Sequence, residues 1–284
     1  MYYVLIIFAS VSAFIVFKAI WMFYSRRVRT VIVDDIVIAY REYGSGVPLL
    51  LISGYGSKMT VWRGLFLSQL YSKYKVIIFD NRGMGLTTLG TKEYTLHQCA
   101  EDSKGLLDAL GIKKAFILGY SMGASVAQEL VLKYPKMVKK LVLGGSNALG
   151  KAQMDPCVQR ALADLTGSNS VLWKRRLRLI FPREWLDRHS YLMNIKVTFN
   201  RFVMRKQVVA MQQWKGTNER LKEIKVPTLL FVGQKDVVTP PANTIFIAEQ
   251  IAGAWLVQFE GAGHGVVNQE SYKVAQLIKL FLSD

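Results

Sequence analysis

Short apolar runs that end in or near Gly, Ser or Asp alternate with stretches of helical periodicity along most of this 284-residue chain. Thr30 to Asp34 and Ile36 to Tyr40 read as a hairpin turning at Asp34-Asp35. Pro48 to Ser53, Lys75 to Asp80, Lys114 to Tyr120 and Lys139 to Gly144 have the near-continuous apolar character of strands buried on both faces. Helical patterns lie between them, near Val61 to Tyr71, Leu96 to Leu110 and Ser121 to Lys133. Strand–helix alternation of this kind predicts a doubly wound, mostly parallel α/β sheet. The alternation breaks near Gly150. Residues 151–225 read as amphipathic helices rich in aromatics, which predicts a helical cap inserted over one edge of the sheet. The buried-strand pattern resumes at Pro227 to Gly233 and again at Trp255 to Phe259, and Ser271 to Leu282 reads as a closing helix. The chain thus divides into residues 1–29, a core in two parts (30–150 and 226–284), and the cap between them.

Residues Tyr2 to Tyr24 are apolar except for Ser10, Ser12 and Lys18. As a helix they reach roughly 34 Å, enough for a bilayer core of about 30 Å. Aromatics gather at both ends, and Ser25-Arg26-Arg27-Val28-Arg29 follows directly. This pattern predicts one N-terminal transmembrane helix. The basic flank places its C-terminal side, and the domain that follows, in the cytoplasm. A cleaved signal peptide is a second reading, but it lacks a basic leading region and its apolar run is long. A hydrophobic helix packed on the domain or on a partner is the third.

Composition changes the picture in two ways. The formal charge of +17 points to an acidic partner such as anionic lipid or an acidic substrate. The cap holds 16 Lys and Arg against 6 Asp and Glu, and the run Lys174 to Arg178 and the pair Arg205-Lys206 read as solvated helix faces, with a seat against anionic headgroups beside the anchor as the second reading. Nucleic acid is not expected, because no binding fold is evident. The two cysteines, Cys99 and Cys157, form neither a disulfide framework nor a metal-ligand pattern.

The chemistry concentrates where a strand meets a helix, at Gly119-Tyr-Ser121-Met-Gly123. The pattern Gly-x-Ser-x-Gly in that context describes a sharp turn that exposes a serine hydroxyl at a helix N-terminus. Gly119 and Gly123 are needed because side chains there would collide with the crossing strand and helix. A serine needs a base to remove its proton. Of the three histidines, His264 sits in Gly261-Ala-Gly-His-Gly265, between the last strand and the last helix. His97 and His189 read as surface or packing residues. The base in turn needs an acid to fix its tautomer. Asp236 closes the loop after the strand that ends at Gly233, on the same sheet edge as Ser121. The turn Ser53-Gly-Tyr-Gly56 ends another strand, and it makes the backbone N–H groups of Tyr55 and Met122 the candidate oxyanion donors.

From Val31 to Leu282 the chain resembles the lid-bearing α/β-hydrolase superfamily, which includes carboxylesterases, enol-lactonases, proline iminopeptidases and non-haem haloperoxidases. The resemblance rests on Ser53-Gly-Tyr-Gly56, Phe79-Asp-Asn-Arg-Gly-Met-Gly85, Gly119-Tyr-Ser-Met-Gly123, Gly233-Gln-Lys-Asp236 and Gly263-His-Gly265. It implies a Ser–Asp–His triad and a structural role for the loop Asp80 to Gly85. Two departures matter. Ser53-Gly54 stands where the family usually has His-Gly. The nucleophile is Ser rather than Asp, against similarity to epoxide hydrolases or haloalkane dehalogenases. The expected activity is acyl transfer from a small-molecule ester or thioester, lipid-like in its acyl part, to water, with no metal or cofactor. The alternatives are an idle scaffold that serves membrane interactions, or an aminopeptidase or perhydrolase of the same fold.

Overall fold

A computed structural model describes residues 27–150 and 155–283. The expected transmembrane segment lies outside the described residues, and among those described no helix is long and apolar enough to cross a membrane. Eight strands form one sheet in the order β1-β2-β4-β3-β5-β6-β7-β8. They are β1 (Arg29–Val33), β2 (Ile36–Tyr43), β3 (Pro48–Ile52), β4 (Lys75–Phe79), β5 (Ala115–Tyr120), β6 (Val138–Gly144), β7 (Thr228–Gly233) and β8 (Trp255–Phe259). β1 pairs with β2 and β2 with β4 antiparallel, whereas every pairing from β4 across to β8 is parallel. All six parallel strands therefore end on one edge of the sheet.

The helices are α1 (Gly64–Tyr71), α2 (Leu96–Ala109), α3 (Met122–Lys133), α4 (Pro156–Ala163), α5 (Asn169–Ile180), α6 (Arg183–Arg188), α7 (Arg201–Gln213), α8 (Pro241–Gln250), α9 (Val266–Gln269) and α10 (Ser271–Ser283). Two core layers flank the sheet. Leu50, Ile77, Ile117 and Leu143 face α2 and α3 on one side. Leu51, Ile78, Leu118 and Phe231 face α1 and α10 on the other. The central strands are apolar on both faces because each face meets a helix layer. α8 has no counterpart among the elements the sequence predicts. Pro241 is the first helical residue, where its missing N–H costs nothing.

Helices α4 to α7 fill the connection between β6 and β7. Capping fixes three of them. Asp155 accepts the Cys157 and Val158 N–H groups, Ser168 that of Val171, and Asn200 that of Val203. The loop from Asp80 to Gly85 is held by a buried pair. Arg82 donates to both oxygens of Asp102 at 2.6 and 2.7 Å and reaches Asp35 at 3.3 Å. The Asp102 carboxylate holds the Arg82 guanidinium well above its ordinary pKa, against the opposing effect of burial. A Cβ at Gly85 would meet the Asp80 carboxylate at 2.0 Å, which explains the glycine there.

Candidate active site

Ser121 lies between β5 and α3 with φ +56° and ψ −125°. This left-handed backbone is strained for a residue with a side chain, and the surroundings enforce it. A Cβ at Gly119 would stand 2.3 Å from the Gly123 carbonyl oxygen, and one at Gly123 would stand 2.2 Å from that of Ile52. The Ser121 N–H donates to the Gly144 carbonyl at 2.9 Å, which ties the turn to β6. The serine thus sits at the strand's end with no room for the turn to relax.

His264 follows β8, and its Nε2 lies 3.0 Å from Ser121 Oγ. Its Nδ1 lies 2.8 Å from Asp236 Oδ2, in the loop after β7. Asp236 is buried, and its second oxygen, Oδ1, accepts the Val238 and Thr239 N–H groups at 2.8 and 2.9 Å. Thr239 Oγ1 donates to Asp236 Oδ2 at 2.9 Å and stands 3.2 Å from His264 Nδ1. Thr239 was not singled out from the sequence. Tyr120 OH donates to the His264 carbonyl, and its ring packs against the imidazole. Burial, with the Asp236 charge adding to it, pushes the Tyr120 phenol well above its ordinary pKa, so it stays a neutral donor.

The turn after β3 abuts the serine. A Cβ at Gly54 would lie 3.0 Å from Ser121 Cβ, so only glycine lets the backbone pass this close. Asn81 Nδ2 donates to the Ser53 carbonyl at 3.1 Å and anchors the start of the turn. Met122 is the first residue of α3, where an N–H has no partner within the helix. The structure therefore brings Ser121, His264 and Asp236 into one hydrogen-bonded line and sets the Tyr55 turn beside them. That arrangement can remove a proton from a hydroxyl and hold a developing oxyanion. Among the described residues no group of three or more His, Cys, Asp or Glu could hold a metal ion.

A family model described as the alpha/beta hydrolase fold matches residues 47–270. The chain belongs to the α/β-hydrolase family. Its relatives include the 2-hydroxymuconate semialdehyde hydrolase of Pseudomonas sp. (strain CF600), 26% identical over 270 residues, which are 90% of this chain and 94% of that protein. A hydrolase from Pseudomonas aeruginosa PA01 superposes with a TM-score of 0.80 at 28% identity, over 92% of this chain and 100% of that one. A thermophilic esterase from Thermogutta terrifontis shares the fold with a TM-score of 0.80 at 23% identity, over 90% of this chain and 98% of that one.

Two cavities meet at the serine of this α/β hydrolase. One is largely apolar, lined by Leu96, Met122, Leu162, Val208, Met211, Trp214 and Val238 beside Ser121, with Ser125, Asn147, Gln159, Gln212 and Thr239 as polar groups. The other runs between Trp62, Tyr120, Ile180, Val267 and His264, again with Ser121. Of the cap aromatics Trp173, Phe181, Trp185, Tyr191, Phe199, Phe202 and Trp214, only Trp214 lines the first cavity. Phe181 and Trp185 stack on each other, with their ring centroids 4.3 Å apart, while Tyr191 and Phe202 are exposed. His97 is exposed with Nδ1 3.3 Å from Glu129, and His189 stacks on Trp185, so neither reaches the serine line.

The helices of the insertion hold the turn at Tyr55. The Gly56 N–H donates to Gln207 Oε1 at 2.8 Å, and Gln207 Nε2 donates to Tyr94 OH at 2.8 Å. Tyr55 OH donates to the Leu162 carbonyl at 2.9 Å. Arg176 corrects one expectation. It is buried rather than solvated, its guanidinium lying 4.6 Å from the Tyr55 ring centroid and 5.5 Å from that of Phe199. Its Nε and Nη2 are buried with no hydrogen-bond partner among the described residues, and burial lowers its pKa, opposed by Tyr55. Charge over two aromatic faces offsets part of the desolvation. Replacing Gln207 with Leu leaves the Gly56 N–H and Tyr94 OH without their partner. We expect kcat to fall by up to about 100-fold with KM little changed, since small displacements of catalytic groups cost that much. Steady-state kinetics beside a thermal melt check this. An unchanged kcat in a folded variant would show that the turn holds without Gln207.

Proposed function

We propose that this chain is a serine hydrolase that cleaves a carboxylic ester or thioester through an acyl-enzyme, tethered to a membrane by residues 2–24. The hydrogen-bonded line from Ser121 through His264 to Asp236 carries the reading. Ser121 Oγ attacks the carbonyl carbon while His264 Nε2 takes its proton. Asp236 holds the ring with Nδ1–H facing the carboxylate and stabilises the imidazolium. The Tyr55 and Met122 N–H groups receive the oxyanion. His264 then protonates the leaving oxygen or sulfur, and the alcohol or thiol departs. Water repeats the sequence on the acyl-enzyme and frees the acid and the serine.

The two cavities divide the substrate. The leaving atom must come within reach of His264 Nε2, and only the second cavity is lined by His264. The apolar cavity beside Met122 therefore takes the acyl group, which favours a hydrophobic acyl chain. A series of p-nitrophenyl esters from acetate to palmitate tests this. Met211→Trp fills part of the apolar cavity, so the preferred acyl chain is expected to shorten while hydrolysis of the acetate persists. An unchanged chain-length profile would remove the acyl group from that cavity.

The membrane tether rests on the apolar run Tyr2 to Tyr24 and the basic run that follows it. The basic flank favours a domain on the cytoplasmic side.

A further inference from the structure

We infer that the edge of the sheet opposite the active site is a docking face for an anionic lipid bilayer, so that the catalytic mouth points away from the membrane. The tethered half of this inference rests on the proposed N-terminal anchor. The basic row on that edge is independent of it.

The parallel strands give the domain two unlike edges. Ser121, Asp236 and His264 follow the C-terminal ends of β5, β7 and β8. The short loops leaving β3, β4, β7 and β8 at that edge mix both signs, with Lys58, Arg63, Arg82, Lys92 and Lys235 against Asp80, Glu93, Asp236 and Glu260, and the cap that follows β6 is basic. The loops that lead into the strands at the other edge are almost purely basic. Two lysines precede or open β4 and two precede β7. Lys113 and Lys114 precede β5, and Lys136, Lys139 and Lys140 lead into and open β6. Against these nine lysines the same loops hold one acid, Glu223, and of the nine Lys75 pairs with Glu42 of β2 at 2.6 Å. Lys113, Lys114, Lys136 and Lys139 are exposed. At the end of this row Trp255 is 42% exposed and Leu280 58% exposed, and Lys140 lies 5.1 Å from the ring centroid of Phe281, which packs on Trp255. A basic row ending in an exposed Trp and Leu matches the chemistry of an anionic headgroup layer over an apolar interior.

The chain also reaches this edge from the N-terminal side. Tyr43 pairs with Val76 near the start of β4, and Arg29 pairs with Tyr40 three residues back along β2. Residues before Arg29 thus run toward the lysine edge. Val28 packs on the same core layer as Val47, which leads into β3. Only residues 25–28 separate the apolar run from β1, a span of at most about 14 Å. The six residues of β5 alone put about 20 Å between the lysine edge and the serine. A bilayer-spanning segment on so short a tether brings the lysine edge, not the cap, to the headgroups. The exposed cap residues Phe202, Arg205 and Lys206 then face the aqueous side.

The test uses the full chain with vesicles of phosphatidylcholine, with or without phosphatidylserine, followed by flotation and hydrogen–deuterium exchange. Flotation with the neutral vesicles reads the anchor alone. The docking face predicts several-fold slower exchange in residues 110–114 and 134–140 on the anionic vesicles than on the neutral ones. This protection should be lost at high salt. The triple variant Lys113→Glu, Lys114→Glu, Lys136→Glu should lose it too, while still floating and still hydrolysing a soluble ester. Flotation without this protection, or protection that appears on α7 instead, overturns the proposal and leaves the anchor standing. Flotation only with anionic vesicles, with protection in those loops, supports the face and removes the anchor. No flotation with either vesicle removes both.

Discussion

Ser121→Ala is expected to lower kcat for ester hydrolysis by about 10⁶-fold, the scale reached when a triad loses its nucleophile. The reason lies in the line of hydrogen bonds. Ser121 Oγ is 3.0 Å from the only imidazole in reach, and the strained turn fixes it there. Without the hydroxyl no acyl-enzyme forms, and water held near His264 is a poorly positioned substitute. His264→Ala should cost nearly as much, and the double variant little more, because the two residues act as one unit. Stopped assays on a p-nitrophenyl ester measure this, with circular dichroism to show that each variant folds. Additive losses would mean that serine and histidine serve separate steps.

Asp236→Asn is expected to lower kcat by about 10⁴-fold while the fold survives. The carboxylate accepts two backbone N–H groups, the Thr239 hydroxyl and the imidazole Nδ1–H, and it offers no donor. An amide there keeps the size. With its oxygen on the two N–H groups, however, its NH₂ faces His264 Nδ1 as a donor. The ring then presents Nδ1 as acceptor and carries its proton on Nε2, toward the serine, where it cannot serve as base. The variant should bind a fluorophosphonate far more slowly yet melt near the parent. A rate within tenfold of the parent would show that another group orients the ring.

Much of this arrangement was legible in the sequence because its signals are local. Runs such as Leu49-Leu-Leu-Ile52 and Ala115-Phe-Ile-Leu118 contain no polar residue, so they read as strands wherever they pack. Gly119 and Gly123 flank Ser121 because the turn admits no Cβ, and that constraint is written at fixed spacing. His264 emerged because only three histidines were available. What stayed hidden depends on contacts between distant segments. Gln207 lies 151 positions from Gly56, and nothing in the pattern of α7 separates it from an exposed glutamine. Arg176 sits in a basic run that looks solvated, yet one turn of α5 points it at Tyr55. Thr239 is a partial exception. A threonine three residues after Asp236 sits where its N–H can cap the carboxylate, although a turn of that composition usually has no further role.

An activated nucleophile at Ser121 should react with electrophilic phosphorus. The full chain is treated with a fluorophosphonate probe and the adduct located by peptide mass spectrometry. One adduct is expected, on Ser121, absent from Ser121→Ala and greatly slowed in His264→Ala. A folded, unlabelled chain that also fails to turn over any ester would contradict it.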